Sequence, residues 1–154
     1  MADDIHARLA ALGVELPDAP SAIANYAPWQ LCGEMLYISG QISRDGDGHV
    51  LVGQLGSTTT IEQGQMAARW CALSILAQAK SALGHLDRIA QIVRLTGFVA
   101  ATPEFYDHPQ VLNGASDFFV ALLGDKGRHT RAAIGVASLP LGAAVEIDAM
   151  IRVL

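Results

Sequence analysis

Residues 145–153 alternate without a break: Val145, Ile147, Ala149, Ile151 and Val153 take the odd positions, and Glu146, Asp148, Met150 and Arg152 the even ones. Successive side chains of an extended chain point to opposite faces, so this segment is a strand with one apolar and one mainly polar face. Such a strand belongs to a sheet covered on one side, and helices are the natural cover.

Two stretches can supply it. Residues 61–83 carry Ile61, Met66, Trp70, Leu73, Leu76 and Leu83 among many alanines, a broad helical stripe ended by Gly84. One of Ser57 to Thr60 is expected to supply the N-cap, Thr59 being the most attractive because Glu62 lies three residues on. A second helix is expected from Gln110 to Leu123, with Val111, Ala115, Phe119 and Leu122 on one face and Gly124 as its stop.

Around these helices the sequence predicts four further strands. Two short ones fall between Ala22 and Ile42 on either side of Gly33-Glu34, and Ser39-Gly40 closes the apolar run of the second. Ile89 to Val99 is another, with Gln91, Val93, Leu95, Gly97 and Val99 sharing a face and Ile92, Arg94, Thr96 and Phe98 the other. The fourth lies near 130–138, and Leu139-Pro140-Leu141-Gly142 separates it from the last, expected near 144–153. A short amphipathic helix from Asp3 to Leu12 precedes them, broken by Pro17 and Pro20. The order is β-β-α-β-α-β-β, an α+β sheet with two helices on one face, read as a single domain over 1–154 with residues 1–15 as an N-terminal helical extension.

At 51% hydrophobic and 16% charged residues the chain holds more apolar surface than a soluble monomer of this size usually hides. Residues 65–83 include Arg69, Gln78 and Lys80, which interrupts any membrane span. The apolar surplus is therefore expected at an interface between copies. Met1-Ala2-Asp3-Asp4 lacks the features of a signal peptide, so a cytoplasmic location is expected. A net charge of −5 with no basic stripe argues against a nucleic-acid partner. Cys32 and Cys71 have no His or Cys at metal-ligand spacing and are expected to be reduced and buried. His6, His49, His85, His108 and His129 show no ligand spacing either, and Gly53-Gln54-Leu55-Gly56 lacks the context of a phosphate loop, so neither a metal nor another cofactor is expected.

Arg131 opens the fourth of these strands, and its same-face neighbours Ala133 and Gly135 are small, which would leave room for a ligand. The planar guanidinium fork suits a carboxylate. An interface ion pair is the alternative. Glu146 and Asp148 share a face and could hold a water or exchange protons, or else join an interface network with Arg94 or Arg152.

The stretch Thr130-Arg131-Ala132-Ala133-Ile134-Gly135-Val136-Ala137-Ser138-Leu139-Pro140, closed by Val145-Glu146-Ile147, resembles the C-terminal signature of the RidA (YjgF) family, including its Arg-to-Glu separation. Tyr37-Ile38-Ser39-Gly40-Gln41 resembles that family's Ser-Gly-Gln strand end, with Tyr26 at its upstream aromatic and Asn113 near its helix-two asparagine. His129-Thr130 before the arginine and Ala133 after it depart from the common pattern and mark a divergent subgroup. The resemblance implies a chorismate-mutase-like fold, a homotrimer with sites between subunits, and deamination of reactive imines without a cofactor. Arg131 would hold the substrate carboxylate and Glu146 the attacking water, while Tyr26, Ser39, Gly40 and Asn113 shape the pocket. A carboxylate-binding trimer without turnover is the second reading. The endoribonuclease label that some members carry fits an acidic chain poorly.

Overall fold

Val145–Val153 forms the strand that its alternation predicts, and all five odd positions are at most 3% exposed. The computed structural model describes residues 5–22 and 24–154. The elements, in chain order, are α1 (Ile5–Ala11), β1 (Trp29–Cys32), β2 (Met35–Ile42), α2 (Ile61–Leu83), β3 (Ile89–Ala100), α3 (His108–Leu123), β4 (Thr130–Val136) and β5 (Val145–Val153), with short 3-10 turns before β3, after α3 and before β5. The start expected for α1 at Asp3, and Ile23 in the expected strand region, lie outside the described residues.

The sheet order is β1-β2-β5-β3-β4, antiparallel except for the parallel pair β3–β4. The fold is thus α+β with a mixed sheet. Helix α2 packs on β2 and β5, α3 packs on β3 and β4, and α1 contributes Ile5 and Leu9 to the same core. Among the described residues no helix is long and apolar enough to cross a membrane.

Register shifts in β3 and β2 tune which side chains meet the helices. In β3 the pairing with β5 slips between Ile92 and Arg94, so Ile92 faces Ile151, and Leu95 faces Ala149 across the same buried side. The extra residue reverses the phase, which is why Ile92 is buried rather than opposite Leu95 as simple alternation requires. The Thr130 hydroxyl donates to the Val93 carbonyl at the slip, at 2.9 Å. In β2 the register slips between Ile38 and Gln41. Ser39-Gly40 is therefore a bulge within a strand that continues to Ile42, not its end.

Helix α2 buries Leu76 and Leu83 as its stripe predicts but departs from it elsewhere. Met66 is 44% exposed, while Gly64, Ala67, Ala68, Cys71, Ala72, Ile75, Leu76 and Ala79 are buried. The helix is sandwiched between the sheet and α3, and small side chains let both approach. A Cβ on Gly114 of α3 would overlap the backbone of Gln65. The cap falls within the expected stretch from Ser57 to Thr60, on Thr60 rather than Thr59: Thr60 Oγ1 accepts from Gln63 N at 3.1 Å and Gln63 Oε1 from Thr60 N at 2.9 Å. Thr59 is instead buried against Gly53. Cys71 is buried as expected, and burial pushes its thiol pKa up; Cys32, on the edge strand β1, is exposed.

Candidate functional site

The residues singled out in the sequence separate into two groups on opposite faces of the sheet. Glu146 pairs with Phe98 of β3 and Ile42 of β2 on the face away from the helices. Arg131 pairs with the fully buried Leu95, which fixes it on the helix-covered face of the edge strand β4. Within one chain the two cannot share a ligand.

The Glu146 group is built by the β2 bulge. Gln41 turns inward, where its amide donates to the Ser39 carbonyl at 2.9 Å, while Gly40 turns outward beneath the Glu146 carboxylate. A Cβ on Gly40 would overlap Glu146 Oε1, so only glycine admits the carboxylate there. The Ser39 hydroxyl donates to the Ala27 carbonyl at 2.8 Å, and its N–H donates to Pro28 O at 3.0 Å, which ties down the loop that carries Tyr26. The buried amide of Gln78 in α2 reaches Pro20 O at 2.7 Å and holds the same loop from the other side.

Tyr26, Gly40 and Glu146 line two adjoining depressions. The deeper also touches Gln41, Arg44 and Leu141 and has a volume of about 120 Å3. Engineered cavities of ~150 Å3 hold a benzene ring, so this space suits a ligand of few heavy atoms. The shallower depression includes Ser39, Thr96 and Asp148. Leu141 adopts φ +56°, a left-handed conformation that non-glycine residues rarely keep. Burial, and then the nearby Asp148 carboxylate, raise the pKa of Glu146 above that of an ordinary glutamate. Among the described residues Glu146 has neither a hydrogen-bond nor an ion-pair partner. A carboxyl that is half-buried, unpartnered and raised in pKa is suited to exchange protons.

The Arg131 group lies under α3. Nη1 donates to Ser116 Oγ at 3.0 Å and Nη2 to the Pro109 carbonyl at 3.3 Å. Asn113, half-buried, stands four residues after Pro109 and three before Ser116, on the same flank of the helix. Space beside Arg131 does not come from its strand neighbours. A Cβ on Gly135 would meet His108, and one on Gly97, which pairs with Ala133, would meet Leu112, so α3 already fills that side. No carboxylate among the described residues lies within ion-pair distance of Arg131. Its charge is met by neutral oxygens alone.

Ser116 and His129 were not singled out as a pair in the sequence, yet Ser116 Oγ lies 2.9 Å from His129 Nε2. Thirteen positions separate them, and only the return of β4 beneath α3 brings them together. Asp45, Asp47 and His49 also gather, with one donor atom each within 4.8 Å, although the histidines showed no ligand spacing. They lie in an exposed turn whose backbone N–H groups of Asp47 and His49 already donate to Asp45 Oδ1.

A family profile described as "YjgF/chorismate_mutase-like, putative endoribonuclease" matches residues 6–150. Protein TCP17 of Trypanosoma cruzi is 44% identical over 149 residues, spanning 96% of this chain and 93% of its own. Among solved structures, a protein of unknown function from Agrobacterium tumefaciens is 44% identical with a TM-score of 0.91, covering 99% of this chain and 96% of its own. A "putative endoribonuclease" from Shewanella oneidensis is 36% identical with a TM-score of 0.94, over 98% and 100% of the two chains.

Proposed function

The chain belongs to the YjgF/chorismate_mutase-like family, and from that premise we propose that it is an imine/enamine deaminase whose site is completed between the subunits of a homotrimer. The observation that carries this reading is the split itself. Among the described residues Arg131 lacks an anionic partner and Glu146 lacks a hydrogen-bond or ion-pair partner, and the two lie on opposite faces of one sheet. Packing the edge strand of one copy against the open sheet face of the next would bring one copy's guanidinium to its neighbour's carboxylate.

The open face suits such packing. Tyr37 and Met150, which pair across β2 and β5, and Ile134 on the edge strand β4 are 41%, 38% and 43% exposed on it, large apolar side chains of the kind that oligomers cover. In the assembled site Arg131 grips the carboxylate of a 2-imino acid, and Asn113 flanks it. Glu146 orients a water that adds to the imine carbon, and the raised pKa lets the carboxyl take the water's proton and return it to the departing nitrogen. Ammonia leaves and a 2-oxo acid remains. The imine carbon is already electrophilic, so positioning supplies most of the acceleration. Ser39 and the Gly40 backbone form the floor, and Tyr26 closes one side.

Generating 2-aminoacrylate in situ and following 2-oxo acid release tests the activity. Wild type should accelerate release and Arg131→Ala should not; equal rates would defeat the reading. Saturable binding of a 2-oxo acid with no turnover of any imine would favour a carboxylate-binding trimer instead.

A further inference from the structure

Arg131 is the last member of a hydrogen-bond chain that begins on the backbone. His129 Nδ1 lies 2.7 Å from the Gly127 carbonyl oxygen. A carbonyl can only accept, so Nδ1 carries the hydrogen, and the neutral ring turns a bare Nε2 toward Ser116. Burial, helped by the nearby Arg131 charge, depresses the pKa of His129 and favours that neutral form. The Ser116 hydroxyl then donates to Nε2 at 2.9 Å, which leaves its lone pairs for Arg131 Nη1 at 3.0 Å. The Phe119 ring stands edge-on to the imidazole at 6.2 Å and limits its tilt.

Each link fixes the next: the carbonyl sets the tautomer, the tautomer sets the hydroxyl hydrogen, and the hydroxyl sets the guanidinium. We infer that Ser116 and His129 are positioning residues, a relay that holds the Arg131 fork in its carboxylate-binding orientation before the ligand arrives. The inference rests on the reading of Arg131 as the carboxylate anchor. An arginine without a carboxylate partner among the described residues would otherwise sample many rotamers and lose that freedom on binding. Two neutral acceptors, Ser116 Oγ and Pro109 O, order it without neutralising it. Two of its five N–H groups are spent in this way, and three remain for an anion.

The test is calorimetric titration of the full-length protein with 2-oxobutanoate. Ser116→Ala and His129→Ala should each weaken binding by about five- to tenfold, the worth of one net hydrogen bond. Ser116→Thr keeps the hydroxyl and His129→Gln keeps an acceptor near the Nε2 position, so each should stay within about twofold of wild type. If both alanine variants bind like wild type while Arg131→Ala does not, the relay is overturned and the anchor stands. If wild type fails to bind, or Arg131→Ala binds equally well, anchor and relay fall together. A measurement on the wild type alone guards against misfolded variants: nitrogen-15 resonances of the Arg131 guanidinium should show slow rotation about the Nε–Cζ bond, and fast averaging would refute the relay.

Discussion

Replacing Gly114 by alanine sets two effects of opposite sign against each other. In the middle of α3, alanine is a better helix former than glycine by about 1 kcal/mol. The new methyl group, however, would overlap the Gln65 carbonyl and come within 2.8 Å of Gln65 Cα, backbone that no rotamer change can move. Carbon atoms rest at about 3.5–4.0 Å, so α2 and α3 must separate by roughly 1 Å where the small residues of α2 bring them closest. Overpacking of that kind costs about 1–3 kcal/mol, and here the upper half of that range applies because the obstacle is backbone. The net expectation is a loss of about 1–2 kcal/mol, or about 2–8 °C in Tm for a chain of this length. Gly64→Ala provides the contrast, since its methyl would meet only side-chain atoms of Leu55 and Val111, at 3.1–3.2 Å. Urea denaturation of both variants should show Gly114→Ala destabilised and Gly64→Ala within about 0.5 kcal/mol of wild type or better. If Gly114→Ala were as stable as wild type, the close contact between the two helices would be wrong.

Glu146→Gln should lower imine turnover by about a hundredfold or more, the usual worth of a general acid–base group, while making the protein more stable at neutral pH. The sign follows from linkage: a carboxyl whose pKa is raised on folding gives full stability below its unfolded value and loses it as pH rises through the folded value. Melting curves of variant and wild type should therefore differ at pH 7 and converge at pH 4 and below. Gly40→Ala should push the Glu146 carboxylate aside, and because that is the flexible end of a side chain, stability should change by less than about 1 kcal/mol. Turnover should fall about as far as in Glu146→Gln, and an unchanged rate would sever the link between the bulge and the carboxylate.

The strand β5 was readable because an antiparallel strand with one solvated face writes its period of two directly into the sequence. The order of elements followed from it and from two helical stripes. Phase failed where a residue was inserted. Ile92 is buried because of the slip before Arg94, and Ser39-Gly40 kinks a strand rather than ending it, neither of which hydrophobicity alone can reveal. The buried face of α2 was legible only in part: Leu76 and Leu83 are in the core, but a helix packed on two sides also buries its alanines and leaves Met66 outside, which side-chain bulk does not signal. Arg131 and Glu146 were each legible as candidates, one for binding a carboxylate and the other for exchanging protons. Their placement on opposite faces depends on strand order and on the parallel register of β3 with β4, which join segments far apart in the chain. Ser116 and His129 meet for the same reason.

The claim that the site is shared between subunits is tested most directly by mixing two inactive proteins. Arg131→Ala keeps an intact Glu146, and Glu146→Gln keeps an intact Arg131. Where a glutamine-variant subunit presents its arginine to an alanine-variant neighbour, a complete site forms; random assembly at equal amounts makes about one interface in four complete. Co-expressed and purified together, the pair should recover up to about a quarter of wild-type imine turnover per site. A mixture no more active than its separate components would contradict the shared site.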